Sequence, residues 1–229
     1  ESFEYYPEGD IEGKGSGSGG WLGPWQGHSE VVDVSSNPLQ ANGLSGGGKA
    51  LRVNHGNGPC WREFTNEISP GSETAVWIRY LVRWDENDTY SDGNRCWLST
   101  TSGNWDHGFV GVQTSADGGD FIASEYYASN RTGGPEFRPG TTVMIVAEVR
   151  KNQMNLWVNP ENESSTPAIS FAEGWSRFPG IRLTSMHNKE SVEKPYSVDG
   201  IVIGETFASV TSAYEGPETP VVVPEKVRE

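Results

Sequence analysis

The chain has 229 residues, 34% of them hydrophobic, which is enough for one sizeable core but includes no apolar run long enough to span a bilayer. Its formal charge of −14 at pH 7 repels nucleic acid and anionic membranes and excludes both as partners. With 29 Gly and 14 Pro and no sustained helical periodicity, it reads as short strands joined by turns.

In chain order, a first strand is predicted over residues 2–6, with Phe3 and Tyr5 inward, followed by a Gly/Ser-rich loop over 7–20. Strands follow over 30–34, 50–53 and 61–64. The longest predicted strand covers 74–84. Ile78, Tyr80, Val82 and Trp84 form one face there, and Trp77, Arg79, Leu81 and Arg83 the other. Apolar residues on both sides indicate a central strand covered on both faces. After an acidic loop over 85–94 come strands over 95–99, 109–113 and 121–126, with loops over 100–108, 114–120 and 128–140 between them.

Residues 142–160 carry the clearest pattern. Val143, Ile145, Ala147 and Val149 alternate, Lys151-Asn152-Gln153 form a polar turn, and Leu156 and Val158 continue the same face. This predicts a β-hairpin with one buried face. A looser region over 161–176, a strand over 180–185 and a closing strand over 196–204 complete the folded part. From residue 212 the composition shifts to a proline-rich, charged stretch that reads as a linker to a further domain. The expected division is one domain over 1–211 and a linker over 212–229, and the chain opens at Glu1 without a signal peptide.

Most motifs that look chemical fail on context. Gly15 to Gly20 satisfies G-x-G-x-x-G, but Trp21-Leu22-Gly23-Pro24 cannot open the helix a dinucleotide fold needs. Gly43-Leu44-Ser45-Gly46-Gly47 satisfies G-x-S-x-G, yet a predicted strand rather than a helix follows. Glu8-Gly9-Asp10-Ile11-Glu12 has the E-x-D-x-E spacing of laminarinase- and agarase-type hydrolases. Alternation along a strand would set its carboxylates on one face, which suits a nucleophile and a general acid held about 5 Å apart. Here it follows Pro7 and precedes a Gly/Ser loop, which reads as an acidic turn. His28, His55, His107 and His187 have no ligand spacing. Calcium is the one cofactor with candidate ligands, as a structural ion between Glu4 and Asp199 on neighbouring strands. The loop from Asp85 starts like an EF-hand but has Tyr90 and Cys96 where Gly and Glu belong. Cys60 and Cys96 suit either a disulfide or two buried thiols.

The positive signal is aromatic. Nine Trp exceed what a small core needs, and sugar rings stack on Trp and Tyr while Asp, Asn, Arg or His hold their hydroxyls. Asn104, Trp105, Asp106 and His107 combine these types in one predicted loop. Arg95 and Trp97 share a strand face, and Tyr126 and Tyr127 add rings. These eight residues are the candidate glycan-binding set.

The runs Thr142 to Glu148, Leu156-Trp157-Val158-Asn159-Pro160 and Val198 to Phe207, with Gly47 to Val53 and Trp77 to Arg83, resemble the strands of bacterial laminin-G-like, concanavalin A-like domains. The resemblance spans nearly all of residues 1–211. It implies an all-β, two-sheet antiparallel sandwich, a jelly roll whose concave face often binds glycans, in secreted or cell-surface proteins. Where family members carry Glu or Glu-Ile-Arg after the closing Asp, this chain has Gly200-Ile201-Val202, leaving Asp199 as the carried-over polar position. The expected function is a non-catalytic, polysaccharide-binding module of a larger secreted bacterial protein. The alternative is a glycoside hydrolase or polysaccharide lyase on the same fold, using Glu8, Glu12 or Glu125 with His107 as acid/base. A third reading is a scaffold domain with no ligand of its own.

Overall fold

The computed structural model describes residues 6, 8–15, 20–27, 32–41, 43–45, 48–53, 60–84, 95–102, 105–115, 118–125, 131–186 and 196–212. Six short strands come first: β1 (Gly9–Asp10), β2 (Gln26–Gly27), β3 (Val32–Ser35), β4 (Gln40–Ala41), β5 (Leu44–Ser45) and β6 (Ala50–Val53). Longer ones follow: β7 (Cys60–Ile68), β8 (Val76–Trp84), β9 (Arg95–Ser102), β10 (Trp105–Ser115), β11 (Gly118–Glu125) and β12 (Arg131–Phe137). Then come β13 (Val143–Val149), β14 (Met154–Val158), β15 (Ile169–Phe171), β16 (Phe178–Met186), β17 (Tyr196–Gly204) and one short helix, α1 (Phe207–Thr211). Among the described residues no helix is long and apolar enough to cross a membrane.

The strands form two antiparallel sheets packed face to face. The eight-stranded sheet runs β1-β3-β6-β17-β8-β13-β14-β15 and the seven-stranded sheet β12-β11-β10-β9-β16-β7-β2. The core between them takes Ile78, Tyr80, Val82 and Trp84 from β8, and Val143, Ile145, Ala147 and Val149 from β13. The opposing sheet contributes Val110, Phe121, Ile181 and Leu183. The Tyr80 hydroxyl crosses the gap to donate to the Val110 carbonyl at 2.8 Å.

The predicted hairpin is present as β13–β14, with Ile145 opposite Val158. Asn159 pins its end: the residue takes φ 48°, which Asn tolerates, and its side chain accepts from the Met144 N–H at 2.7 Å. The expectation of one buried face is corrected, because both faces are buried. Met144, Val146 and Trp157 join Trp77 and Leu81 in a second apolar cluster on the far side of the eight-stranded sheet. That cluster is roofed by Leu39 and Leu44 beside the β4–β5 hairpin and by Phe207 and Val210 of α1. Trp77 stacks on Trp157 at 5.4 Å between centroids and meets Phe207 edge-on at 5.6 Å.

Three further expectations change, and the closing strand takes its place in a sheet. Residues 128–140, read as loop, contain β12; Gly133, Gly134 and Pro135 hide the strand pattern, and β12 is an edge strand, where Pro is tolerated. The 161–176 region contains β15. The strand closing the chain, β17, lies in the middle of its sheet between β6 and β8. The loop over 100–108 is mostly strand, as β9 runs to Ser102 and β10 starts at Trp105. The predicted first strand lies outside the described residues apart from Tyr6.

Cys60 is a buried free thiol. It pairs with Leu183 of β16, and Cys96 pairs with Ser185 on the other side of β16, so a whole strand separates them. Two strand spacings are about 10 Å, beyond the roughly 7 Å a disulfide can bridge. Burial, reinforced by the Asp10 and Glu12 charges, pushes the Cys60 thiol well above its usual range. The neutral thiol is a poor nucleophile. Native protein treated with iodoacetamide at pH 8 is expected to leave Cys60 unmodified in peptide mapping, with labelling on denaturation. Rapid native labelling would contradict this placement.

Candidate functional site

The two sheets differ on their outer faces. The eight-stranded sheet is sealed by the second apolar cluster, whereas no described helix or strand covers the outer face of the seven-stranded one. Backbone register fixes what that face carries. Leu98 of β9 pairs with Val110 and Leu183, both core residues, so Arg95, Trp97, Ser99 and Thr101 lie on the opposite, outer side. Trp97 stands opposite Gly111 and Thr184. The neighbouring row runs Ser124, Phe109, Ser99, Arg182, Trp61 and Gln26 across six strands. Five strand spacings make it about 24 Å long. Trp61 and Arg182 are half-buried, and Gln26 is exposed.

A bulge shapes one end of this face. The β9–β10 register shifts between Asp106 and Phe109, which leaves His107 and Gly108 in the bulge. Gly108 has φ 147°, and a Cβ built there would come within 2.1 Å of the Trp175 indole nitrogen. Only glycine suits that position. Beyond the bulge Trp105 pairs with Ser102 and Asp106 with Thr101. Asp106 therefore takes the face of Arg95 and Trp97, and Trp105 the other face, so the expected grouping in one loop becomes an alternation along a strand. Asn104, Tyr126 and Tyr127 lie outside the described residues. Trp61 and Arg182 were not expected, because they reach this face from distant segments through register alone.

The other expected sites can also be placed. Glu8 and Glu12 are exposed and Asp10 half-buried, and the Asp10 carboxylate accepts from the Glu12 N–H at 2.9 Å. This is the acidic turn, at the edge of the eight-stranded sheet. Ser45 belongs to the β4–β5 hairpin with no helix after it, and Glu125 ends β11 opposite Gly108.

Asp199 is fully buried on the roofed face of the eight-stranded sheet. Its carboxylate accepts from the N–H groups of Leu39 at 3.3 Å and Gly200 at 2.6 Å. Its charge also acts on Arg79: burial pulls the guanidinium below its usual range, and Asp199 pushes it back up. Calcium needs bare oxygens, and this carboxylate is engaged by N–H donors close to a cation. The described donors do not fit the metal. Glu4 lies outside the described residues, and no group of three or more His, Cys, Asp or Glu side chains gathers elsewhere among them.

Two cavities open at the end of the sandwich where β7 passes to β8. The larger, about 800 Å³, has Val76, Trp77 and Phe207 among its walls. The smaller, about 400 Å³, lies against Trp21, Phe64 and Ile201.

No protein-family model matches the chain, and no curated protein is similar in sequence. Solved structures do match. An endo-β-1,4-glucuronan lyase from the fungus Trichoderma reesei superposes with TM-score 0.54 at 12% identity, covering 90% of this chain and 97% of that one. An alginate lyase of polysaccharide lyase family 7 gives 0.51 at 9% identity, covering 78% and 84%. A carbohydrate esterase from the Shiga toxin-encoding bacteriophage phi24B gives 0.51 at 12% identity, covering 86% and 98%. The fold is a concanavalin A-like jelly roll. At these identities the likeness concerns the fold alone.

Proposed function

We propose that the outer face of the seven-stranded sheet recognises a polysaccharide, as the binding surface of a non-catalytic module. The observation carrying this reading is the asymmetry of the sandwich. One sheet is buried on both faces, while the other leaves a row about 24 Å long, bearing Trp61 and Arg182 next to Arg95, Trp97 and Asp106, with no described element over it. Rings to stack on and polar groups between them are what a sugar chain requires. The proposed site also takes in His107 from the bulge and Asn104, Tyr126 and Tyr127, whereas Trp105, on the other face of its strand, falls outside it. A secreted or surface setting, laminin-G-like kinship and attachment to further domains belong to the same proposal.

Affinity electrophoresis against neutral and uronic polysaccharides tests it. At least one gel should retard the protein, and Trp97→Ala or Trp61→Ala should weaken retardation about tenfold or more. Retardation by none of the panel would end the reading.

A second reading has one observation in its favour. Bulges often re-aim a side chain beside an active site, and His107 sits in one next to Asp106. Glycan cleavage using His107 as acid/base would release reducing ends or unsaturated sugars from the bound polysaccharide. Binding without either product supports the module.

A further inference from the structure

The two cavities at the end of the sandwich share Ile68 and Ile203 in their walls, so they adjoin as the two halves of a groove. One half is largely apolar, walled by Phe64, Ile68, Val202 and Ile203, with the Trp21 ring tilted against Phe64 at 5.0 Å between centroids. Leu22, beside it in sequence, is the large hydrophobic residue left most open among those described, at 59% exposed. The other half is rimmed by Glu73, Glu163 and Glu205, all exposed.

These three carboxylates differ from other acids on the surface. Glu67 pairs with Arg177, Glu136 with Arg138 and Glu148 with Arg150. Glu73, Glu163 and Glu205 have no ion pair among the described residues. Arg150, the cation at this rim, is taken: its Nε and Nη2 face Glu148, and its Nη1 donates to the Glu73 carbonyl at 2.8 Å. The groove thus offers branched aliphatic walls at one end and uncompensated negative charge at the other.

We propose that this groove docks a polypeptide segment of a partner protein that presents apolar side chains next to Lys or Arg. Isoleucine and valine walls admit side chains, whereas a pyranose needs a flat exposed ring, and Trp21 and Phe64 in the same walls are half-buried. Trp77 and Phe207, the aromatics at the acidic end, are only 4% and 8% exposed. Charge complementarity chooses the basic partner: Lys or Arg would meet three carboxylates lacking counter-ions, and an acidic segment would be repelled.

The test uses an immobilised array of decapeptides carrying two positions drawn from Leu, Ile and Phe beside two drawn from Lys and Arg. A matched array replaces the basic positions with Glu and Asp, and glucosamine hexamer serves as a cationic sugar. Basic members should bind, the acidic array should not, and the triple variant E73Q/E163Q/E205Q should bind about tenfold more weakly. Its substitutions are at exposed positions, and an unchanged melting temperature would show that it folds. Absence of binding to any basic member, or equal binding by the triple variant, overturns the proposal. Binding of the glucosamine hexamer with the same sensitivity to the triple variant would assign the groove to an amino sugar instead.

Discussion

Replacing Asp199 with alanine is expected to cost about 3–5 kcal/mol of stability, the usual range for leaving a buried charge without its compensating partner. Arg79 would remain 1% exposed with its counter-charge gone. Its Nε would still donate to the Val210 carbonyl at 2.9 Å, but its Nη1 is already buried without a hydrogen-bond partner. The N–H groups of Leu39 and Gly200 would lose their acceptor at the same time. For a chain of this size the melting temperature should fall by about 10 °C. The pair also joins the roof to the sheet, since Leu39 leads into the β4–β5 hairpin and Val210 belongs to α1. An Arg79→Met/Asp199→Ala double variant removes the stranded charge and should lose less than Asp199→Ala alone. Thermal denaturation of the three proteins decides the matter. A loss below about 1 kcal/mol for the single variant would mean that the pair is not coupled as described.

Gly108→Ala is the second large effect. The added methyl would collide with the Trp175 indole, which is 1% exposed and packed against Phe178 at 5.5 Å between ring centroids, so it has nowhere to move cheaply. Alanine would also be held at a φ of 147° that non-glycine residues avoid. Overpacking and backbone strain together should cost about 2–4 kcal/mol, measured by denaturant unfolding. A variant within 0.5 kcal/mol of the parent would show that the bulge tolerates a side chain. Because the bulge sets the position of Asp106, polysaccharide retardation should weaken too, even where the variant remains folded.

The contrast between these residues and the hairpin explains what could be read in advance. The strict alternation of β13 and β14 announces both strands, and β8 announces burial on both faces by being apolar at nearly every position. In β10 the bulge at Gly108 interrupts the alternation, so the start of the strand reads as loop. Leu39 and Leu44 sit among Gly, Asn and Ser, where nothing local indicates that they roof a second core. The shared face of Arg95 and Trp97 follows from period two alone. Its extension to Arg182 and Trp61 depends on strand order, which no local pattern encodes. Arg62 adds to the difficulty: it alternates inward beside Trp61 and is only 3% exposed, donating to the Gly23 carbonyl while its guanidinium lies over Trp21.

The central place of β17 has a consequence for how the molecule is made. Its two partners, β6 and β8, lie more than half the chain earlier. During synthesis both must wait, each with an unpaired edge, until the ribosome has delivered almost the whole domain. Contacts so far apart in sequence close slowly, and open strand edges in the interval invite pairing with other chains. The eight-stranded sheet is therefore completed only once β17 has emerged, and a nascent chain stopped short of residue 196 holds the β1-β3-β6 and β8-β13-β14-β15 parts of that sheet without the strand between them.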